Sequence, residues 1–220
     1  MKTIDVTIDF ETCALCPTAA VMSVGAVVWD RHASNTPFLS APANDIHSFG
    51  RHVDLRSAFL DGFTFDQDTA NWWSHQSDSA KSALLECDDT PLASLRDVVE
   101  SLFEWIQFHR SNMQADEVIL WSQGSDFDIA ILRNICAKYG ITVPVKYTNF
   151  RDHRTFFLEG ARTICERSGA DFNPKEAYRM VDDYSILGQV PHDPVFDCKR
   201  SIYSTWQMMQ MLSALNLSES

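Results

Sequence analysis

The opening of the chain constrains it most. Ile4, Val6 and Ile8 alternate with Asp5, Thr7 and Asp9, and a period of two puts the apolar set on one side of an extended strand and the polar set on the other. The alternation runs on to Glu11, so Asp9 and Glu11 share a face at the strand's end, while Phe10 points the other way and is expected in the core. A chain that begins like this is built around a sheet. Val21 to Trp29, apolar and β-branched with Ser23 and Gly25 inside it, reads as a second strand.

Further along, residues 30–45 hold Pro37, Pro42 and small polar residues and read as a loop. Ile46 to Val53 is expected as a weaker third strand. Thr69 to Leu85 reads as a helix with Asp66 or Asp68 as its cap. The next helix is expected to start near Pro91, and its Leu95, Val98, Val99, Leu102, Phe103 and Ile106 follow the 3.6-residue period. Glu117 to Trp121 is a short strand. Phe127 to Tyr139 is a helix closed by Gly140, with Asp126 as the expected cap. Val143 to Phe150 is expected as a further strand and His153 to Arg167 as a helix. Residues 168–191 read as irregular, with Gly169, Pro174, Gly188 and Pro191. A last helix runs from Val195 to Leu215 with Ile202, Trp206, Met209 and Leu212 inward. Strands first, then helices alternating with strands, predict a mixed α/β sheet covered by helices. No linker interrupts it, so residues 1–220 are expected to form one domain with the last few residues as a tail.

Composition narrows the function. With 45% hydrophobic residues in 220, the chain can bury a substantial core. No apolar run approaches the ~18 residues of a membrane span, and the first residues lack a charged-then-apolar leader, so the expected location is the cytoplasm, away from membranes. The net charge of −12 argues against a protein that grips long nucleic acid through a basic surface. The imbalance is uneven: residues 1–127 carry 7 Lys/Arg against 19 Asp/Glu, whereas residues 128–205 carry 11 against 10. A phosphate-facing surface should therefore draw on the second half. Six cysteines without a leader read as reduced thiols, and the single Cys13-Ala-Leu-Cys16 pair lacks the second pair a zinc site needs.

Three segments carry chemistry, and each alone has an ordinary reading. Asp9 and Glu11 are two adjacent carboxylates that repel unless a cation lies between them, or two solvated acids at a strand end. Gln123-Gly124-Ser125-Asp126-Phe127-Asp128 follows a strand and opens a helix, so Asp128 sits in a first turn that favours an anion, as an ordinary helix start would have it. His192-Asp193-Pro194-Val195-Phe196-Asp197 again leads a loop into a helix; a histidine there can accept a proton from water, or lie inert on the surface. In combination, four carboxylates and one histidine can hold two divalent cations ~3.5–4 Å apart, an arrangement suited to in-line displacement at phosphorus.

This order, DxE on the first strand, Phe-Asp after a central strand and His-x4-Asp before the last helix, resembles the DEDDh family of 3′-to-5′ exonucleases. Asn71-Trp72-Trp73-Ser74-His75-Gln76-Ser77, Arg151-Asp152-His153-Arg154-Thr155 and the segment from His192 to Cys198 are similar to the branch that holds the phage DexA exonuclease and the bacterial exoribonuclease RNase AS. Gln123-Gly124 stands where the wider family often has His-Asn. The resemblance implies an RNase H-like fold, a five-stranded mixed sheet with helices on both faces. It implies Asp9, Glu11, Asp128 and Asp197 as ligands of two Mg2+ ions, with Mn2+ able to substitute, and His192 as general base. It implies single-stranded DNA or RNA 3′ ends as substrate, released as nucleoside 5′-monophosphates, and it leaves a homodimer open. The alternative is a catalytically silent nucleic-acid-binding protein on the same fold, which predicts a missing ligand where none is missing.

Substrate contacts are assigned on the same footing. Phe127 is a wedge against a terminal base or a core residue. Trp72 and Trp73 lie ~100° apart on a helix, so one is expected in the core and the other at the substrate. Thr12 reaches the terminal ribose or simply ends its strand. Arg151 and Arg154 hold a phosphate through paired N–H donors, or pair with Asp152 or Glu159.

Overall fold

The computed structural model describes residues 1–39, 46–85, 92–124, 126–182, 184 and 192–217. The expectations placed on Pro42, Cys87, Pro91, Ser125, Gly188 and Pro191 lie outside those residues.

A five-stranded sheet in the order β3-β2-β1-β4-β5 forms the centre. Strands β1 (Thr3–Thr12), β2 (Val21–Trp29) and β3 (Ser48–His52) pair antiparallel, β1 with β2 and β2 with β3. Strands β4 (Glu117–Ser122) and β5 (Phe150–Asp152) continue the sheet parallel to β1. The carboxyl ends of β1, β4 and β5 therefore lie along one edge, where open α/β sheets place their ligand crevices. Helices α4 (Leu95–Asn112) and α5 (Asp128–Tyr139) pack with the even-numbered residues of β1, joining Ile4, Val6, Ile8 and Phe10 to Val24, Ala26, Leu102, Ile106, Ile131 and Leu132 in the main core. Helices α6 (His153–Ser168) and α7 (Pro194–Leu217) cover the other face, against Val27, Trp29, Ile119 and Trp121. The fold expected from the sequence, a mixed sheet with helices on both faces, is the one observed.

Two glycines set how closely α7 lies on the sheet. Asp9 pairs with Gly25, and Gly25 with Gly50, so the row crosses three strands without a side chain beside Asp9. A Cβ on Gly25 would meet the Pro194 carbonyl carbon at 2.4 Å, and one on Gly50 would meet Val195 at 3.2 Å. The start of α7 rests on this bare lane. Deeper in, a Cβ on Gly160 would collide with Met208 at 2.7 Å, which fixes α6 against α7.

Several elements differ from expectation. The helix expected over 69–85 is two, α2 (Gln67–Ser74) and α3 (Asp78–Leu85). Asp66 caps the first as expected. The break falls on a polar run: the Ser74 hydroxyl donates to the Asn71 carbonyl, the Gln76 amide donates to the Trp72 carbonyl, and Ser77 Oγ accepts from the Ala80 N–H. Side chains thus take over bonds that a continuous helix would need. A short helix, α1 (Leu55–Leu60), capped by Asp54, was not expected. The described start of α4 is Leu95 rather than the neighbourhood of Pro91, because Ser94 caps it by accepting from the Asp97 N–H. The strand expected over 143–150 shrinks to β5; Pro144 has no N–H to give a ladder, and residues 147–149 wind into a 3-10 turn. Along α7, Ile202, Trp206 and Met208 are buried, while Met209 and Leu212 are only half-buried.

Candidate active site

The odd-numbered residues of β1 form a polar row beneath α6 and α7, and each is met differently. The Asp5 carboxylate accepts from Arg31 in two places and from Trp121 Nε1 at 2.7 Å. Thr7 Oγ1 shares a hydrogen bond of 2.9 Å with His153 Nε2, and His153 Nδ1 shares one of 2.7 Å with Thr205 Oγ1 on α7. Burial holds His153 neutral, with its pKa lowered to about 3, and its ring stacks on Trp121. One ring nitrogen therefore donates and the other accepts, and the imidazole links β1, α6 and α7.

Beyond Thr7 the compensation stops. Asp9 and Glu11 reach the crevice at the carboxyl end of β1, where Asp128 and Asp197 join them. Asp128 lies in the first turn of α5, and its Oδ1 accepts from the Phe10 N–H at 3.1 Å. The expected Asp126 cap is not made: Phe127 occupies the cap position with no side-chain bond, and Asp126 is exposed. Asp197 lies in the first turn of α7. Asp193 Oδ1 accepts from the Phe196 N–H at 2.8 Å and so caps that helix, adding a fifth acid near the cluster.

The electrostatics follow from this crowding. Burial, then the charges of Asp128, Glu11, Asp197 and Asp193, push the Asp9 carboxyl well above the usual range. Burial and the Asp197, Asp128 and Asp193 charges lift Glu11 to about 8. Asp128 rises to about 7 because burial outweighs the bonds from the Phe10 and Asp128 N–H groups and the attraction of Arg154. Ligand atoms of Glu11, His192 and Asp197 lie within 4.8 Å of one another. Asp9 and Asp128 stand outside that tight group but are tied to it through their charges and the Phe10 bridge. Oxygen-rich donors that repel one another, with only Arg154 beside Asp128 and Arg200 beside Asp197 to offset them, fit a hard divalent cation.

His192 is held from three sides. Its backbone is left-handed, with φ of 70°, and its N–H donates to Asp197 Oδ2 at 3.0 Å. Its Nδ1 lies 3.9 Å from Glu11 Oε1. Its ring meets Trp72 and Trp73 edge-on, with centroids 5.1 and 5.5 Å away. Trp73 Nε1 donates to the Thr12 carbonyl at 3.0 Å, which anchors this clamp to the end of β1. Neither indole is buried, against the expectation that one would be in the core: both turn to the histidine, and Trp72 is 47% exposed.

The remaining expected residues divide. Phe127 packs against the main core and also lines the crevice. The Thr12 hydroxyl donates to the Ala14 carbonyl at 2.8 Å. Arg154 lines the crevice and donates to the Gln123 carbonyl at 3.3 Å. Arg151 lies outside the crevice lining and donates to the Thr148 and Phe150 carbonyls. The crevice, about 610 Å³, also takes in Gln123 of the second motif, together with Tyr178, Arg179 and Arg200, which sequence reasoning did not single out. Arg200 had a signal: it stands three residues after Asp197, the spacing of neighbours on a helix, and donates to Asp197 Oδ1 at 3.2 Å. Tyr178 had none, since it lies in an irregular stretch.

Residues 4–195 match the model of the family described as the 3′-5′ exoribonuclease Rv2179c-like domain. No curated protein matches. Among solved structures, that of cell-death related nuclease 4 is similar at a TM-score of 0.60 and 15% identity, over 94% of this chain and 64% of that one. The nuclease domain of 3′hExo, a DEDDh family member bound to rAMP, is similar at 0.56 and 13%, over 96% and 93%. A 3′-exonuclease seen in 3′-end specific recognition of histone mRNA stem-loop is similar at 0.55 and 12%, over 96% and 64%. The chain thus spans just under two thirds of the first and third of these structures. At such identities the likeness is one of fold, the RNase H-like arrangement.

Proposed function

The chain belongs to the Rv2179c-like 3′-5′ exoribonuclease family, and from that premise we propose that it is a divalent-metal-dependent exonuclease of the DEDDh type. In this reading it removes nucleoside 5′-monophosphates from single-stranded or short 3′ ends, in the branch of the DexA exonuclease and RNase AS. RNA ends are favoured by the family's description. The observation that carries the proposal is the convergence of Asp9, Glu11, Asp128, Asp197 and His192 on one crevice at the carboxyl ends of parallel strands.

Asp9, Glu11, Asp128 and Asp197 would hold the cations, with Mg2+ expected and Mn2+ as a substitute. Bound there, the metal would supply Lewis-acid stabilisation of the phosphate and the leaving 3′ oxygen. The chain's own residues do the rest. His192 takes a proton from the attacking water as its oxygen bonds to phosphorus and the bond to the 3′ oxygen breaks. Asp197 fixes the His192 backbone, and Trp73 with Trp72 limits the swing of its ring. Arg154 and Arg200 are placed to hold phosphate oxygens. Phe127 and the exposed edge of Trp72 are placed to meet a terminal base, and Thr12 keeps its place beside the sugar. Arg151, outside the crevice, would touch only upstream backbone. Among the described residues no helix is long and apolar enough to cross a membrane; we propose a cytoplasmic protein of one domain, with a homodimer to be tested by light scattering.

The test is release of mononucleotides from 3′-ended RNA and matched DNA oligonucleotides. EDTA should abolish it, and Asp9→Asn should lower it by about 10³-fold, the scale of losing a major electrostatic stabiliser. An Asp9→Asn protein that cleaves at the wild-type rate would overturn the reading.

A further inference from the structure

On the Gln123 side of the crevice, an aromatic ring is presented as a shelf. Tyr178 sits in the 3-10 turn Ala177–Met180. One face of its ring stacks on Phe157, with centroids 4.2 Å apart and planes at 1°. Phe157 is itself buried at 1% exposure, so the tyrosine is backed by the core packing of α6 and α7. Tyr178 nevertheless keeps 41% of its surface exposed and lines the same crevice as the carboxylates. The Gln123 amide donates to its hydroxyl at 3.3 Å, which brings a side chain with both donor and acceptor to the ring's rim.

Tyr178 thus offers an aromatic face on a rigid support, which a flat occupant can cover without reordering the chain. The groups around it specify that occupant. Arg154 and Arg179 line the crevice beside it, in a chain whose net charge is −12. Both come from the second half of the sequence, where cations are as frequent as acids. A flat apolar face, an amide at its edge and guanidinium groups nearby match a nucleobase with its attached phosphate.

We propose that Tyr178 is a stacking platform for a nucleobase of the substrate strand, with Gln123 reading the edge of that base and Arg154 and Arg179 holding its phosphate. This site deepens the nuclease reading and rests on it for the identity of the strand. It binds a base beside the scissile linkage, so that remote binding energy orients the phosphate over the carboxylates.

The platform can be tested apart from the chemistry. The Asp9→Asn protein is titrated with a short single-stranded RNA carrying 2-aminopurine, whose fluorescence is quenched by stacking. Quenching is expected on binding. Adding Tyr178→Ala should remove most of the quenching and weaken binding about tenfold, the scale of one base on one ring; Tyr178→Phe, which keeps the ring, should restore both. In the active protein Tyr178→Ala should raise KM more than it lowers kcat. Equal quenching and affinity with and without the Tyr178 ring, in variants with unchanged circular dichroism, would overturn the proposal. A wild-type protein that releases no nucleotide while Asp9→Asn still shows Tyr178-dependent quenching would sink the hydrolytic reading and leave the platform standing.

Discussion

The two faces of β1 are built on opposite principles. Toward α4 and α5, Ile4, Val6, Ile8 and Phe10 are buried in the main apolar core. Toward α6 and α7, Asp5, Thr7, Asp9 and Glu11 form a polar row that is equally shut away from bulk water over its first half. There Asp5 is matched by Arg31 and Trp121, and Thr7 by His153. In the second half Asp9 and Glu11 face Asp128, Asp197 and Asp193, and their pKa values rise. One face stabilises by burial alone. The other gives up stability at one end, where on the proposed reading a cation and a phosphate would use the acids, as functional sites commonly do.

The largest expected separation of the two faces comes from one substitution on each. Leu102 on α4 is fully buried, and Leu102→Ala should cost about 2–5 kcal/mol of stability. For a chain of this length that lowers Tm by roughly 5–20 °C, with turnover per folded molecule unchanged. Asp9→Asn should do the reverse: Tm in EDTA should hold or rise, because a buried acid that is costly to ionise gives way to a neutral amide of the same shape, while activity collapses. Differential scanning calorimetry beside the nuclease assay reads both. If Asp9→Asn destabilises as much as Leu102→Ala, Asp9 is a packing residue and the contrast is false.

Much of this contrast was legible in the sequence, and the missing part has a physical reason. The period of two in β1, the apolar run of β2, the helical stripe of α4 and the Gly140 stop of α5 are local signals, and they held. So did the gathering of residues 9, 11, 128, 192 and 197 about one crevice. Alternation, however, cannot distinguish a polar face that meets water from one that meets Arg31, Trp121 and His153, because those partners arrive from distant segments. Nor could helical spacing on α2 tell that both Trp72 and Trp73 would turn to His192, since the histidine's loop position is set by α7. The break between α2 and α3 was written in Ser74, Gln76 and Ser77, but side chains that compete for helix carbonyls weigh little in a periodicity argument.

A smaller effect follows from the raised acids. The folded chain keeps protons on Glu11 and Asp128 up to about 8 and about 7, from ordinary values of 4.5 and 3.8. Between those limits the folded state binds more protons than the unfolded one, so stability falls as pH rises. In EDTA, Tm should therefore drop by several degrees from pH 5.5 to 8.5. On the proposed reading Mg2+ or Mn2+ would take over the role of those protons, so its stabilisation should be larger at pH 8.5 than at pH 5.5. Thermal melts across this range decide it; a metal-free Tm that stays level or climbs would remove the acids from the account.

The smallest effect probes the clamp at the far end of the polar row. Trp73 ties the Thr12 carbonyl at the end of β1 to the ring of His192. Trp73→Phe keeps an aromatic edge and loses the N–H, a loss on the order of 1 kcal/mol. If that bond positions the general base, kcat should fall by roughly fivefold with KM little changed. His192→Ala alone should cost ~100-fold, and adding Trp73→Phe to it should cost nothing more, because the group that Trp73 orients is already gone. Full additivity of the two changes would mean that Trp73 acts on the substrate directly. The clamp would then belong to the binding surface, and His192 would owe its place to Asp197 and its own left-handed backbone.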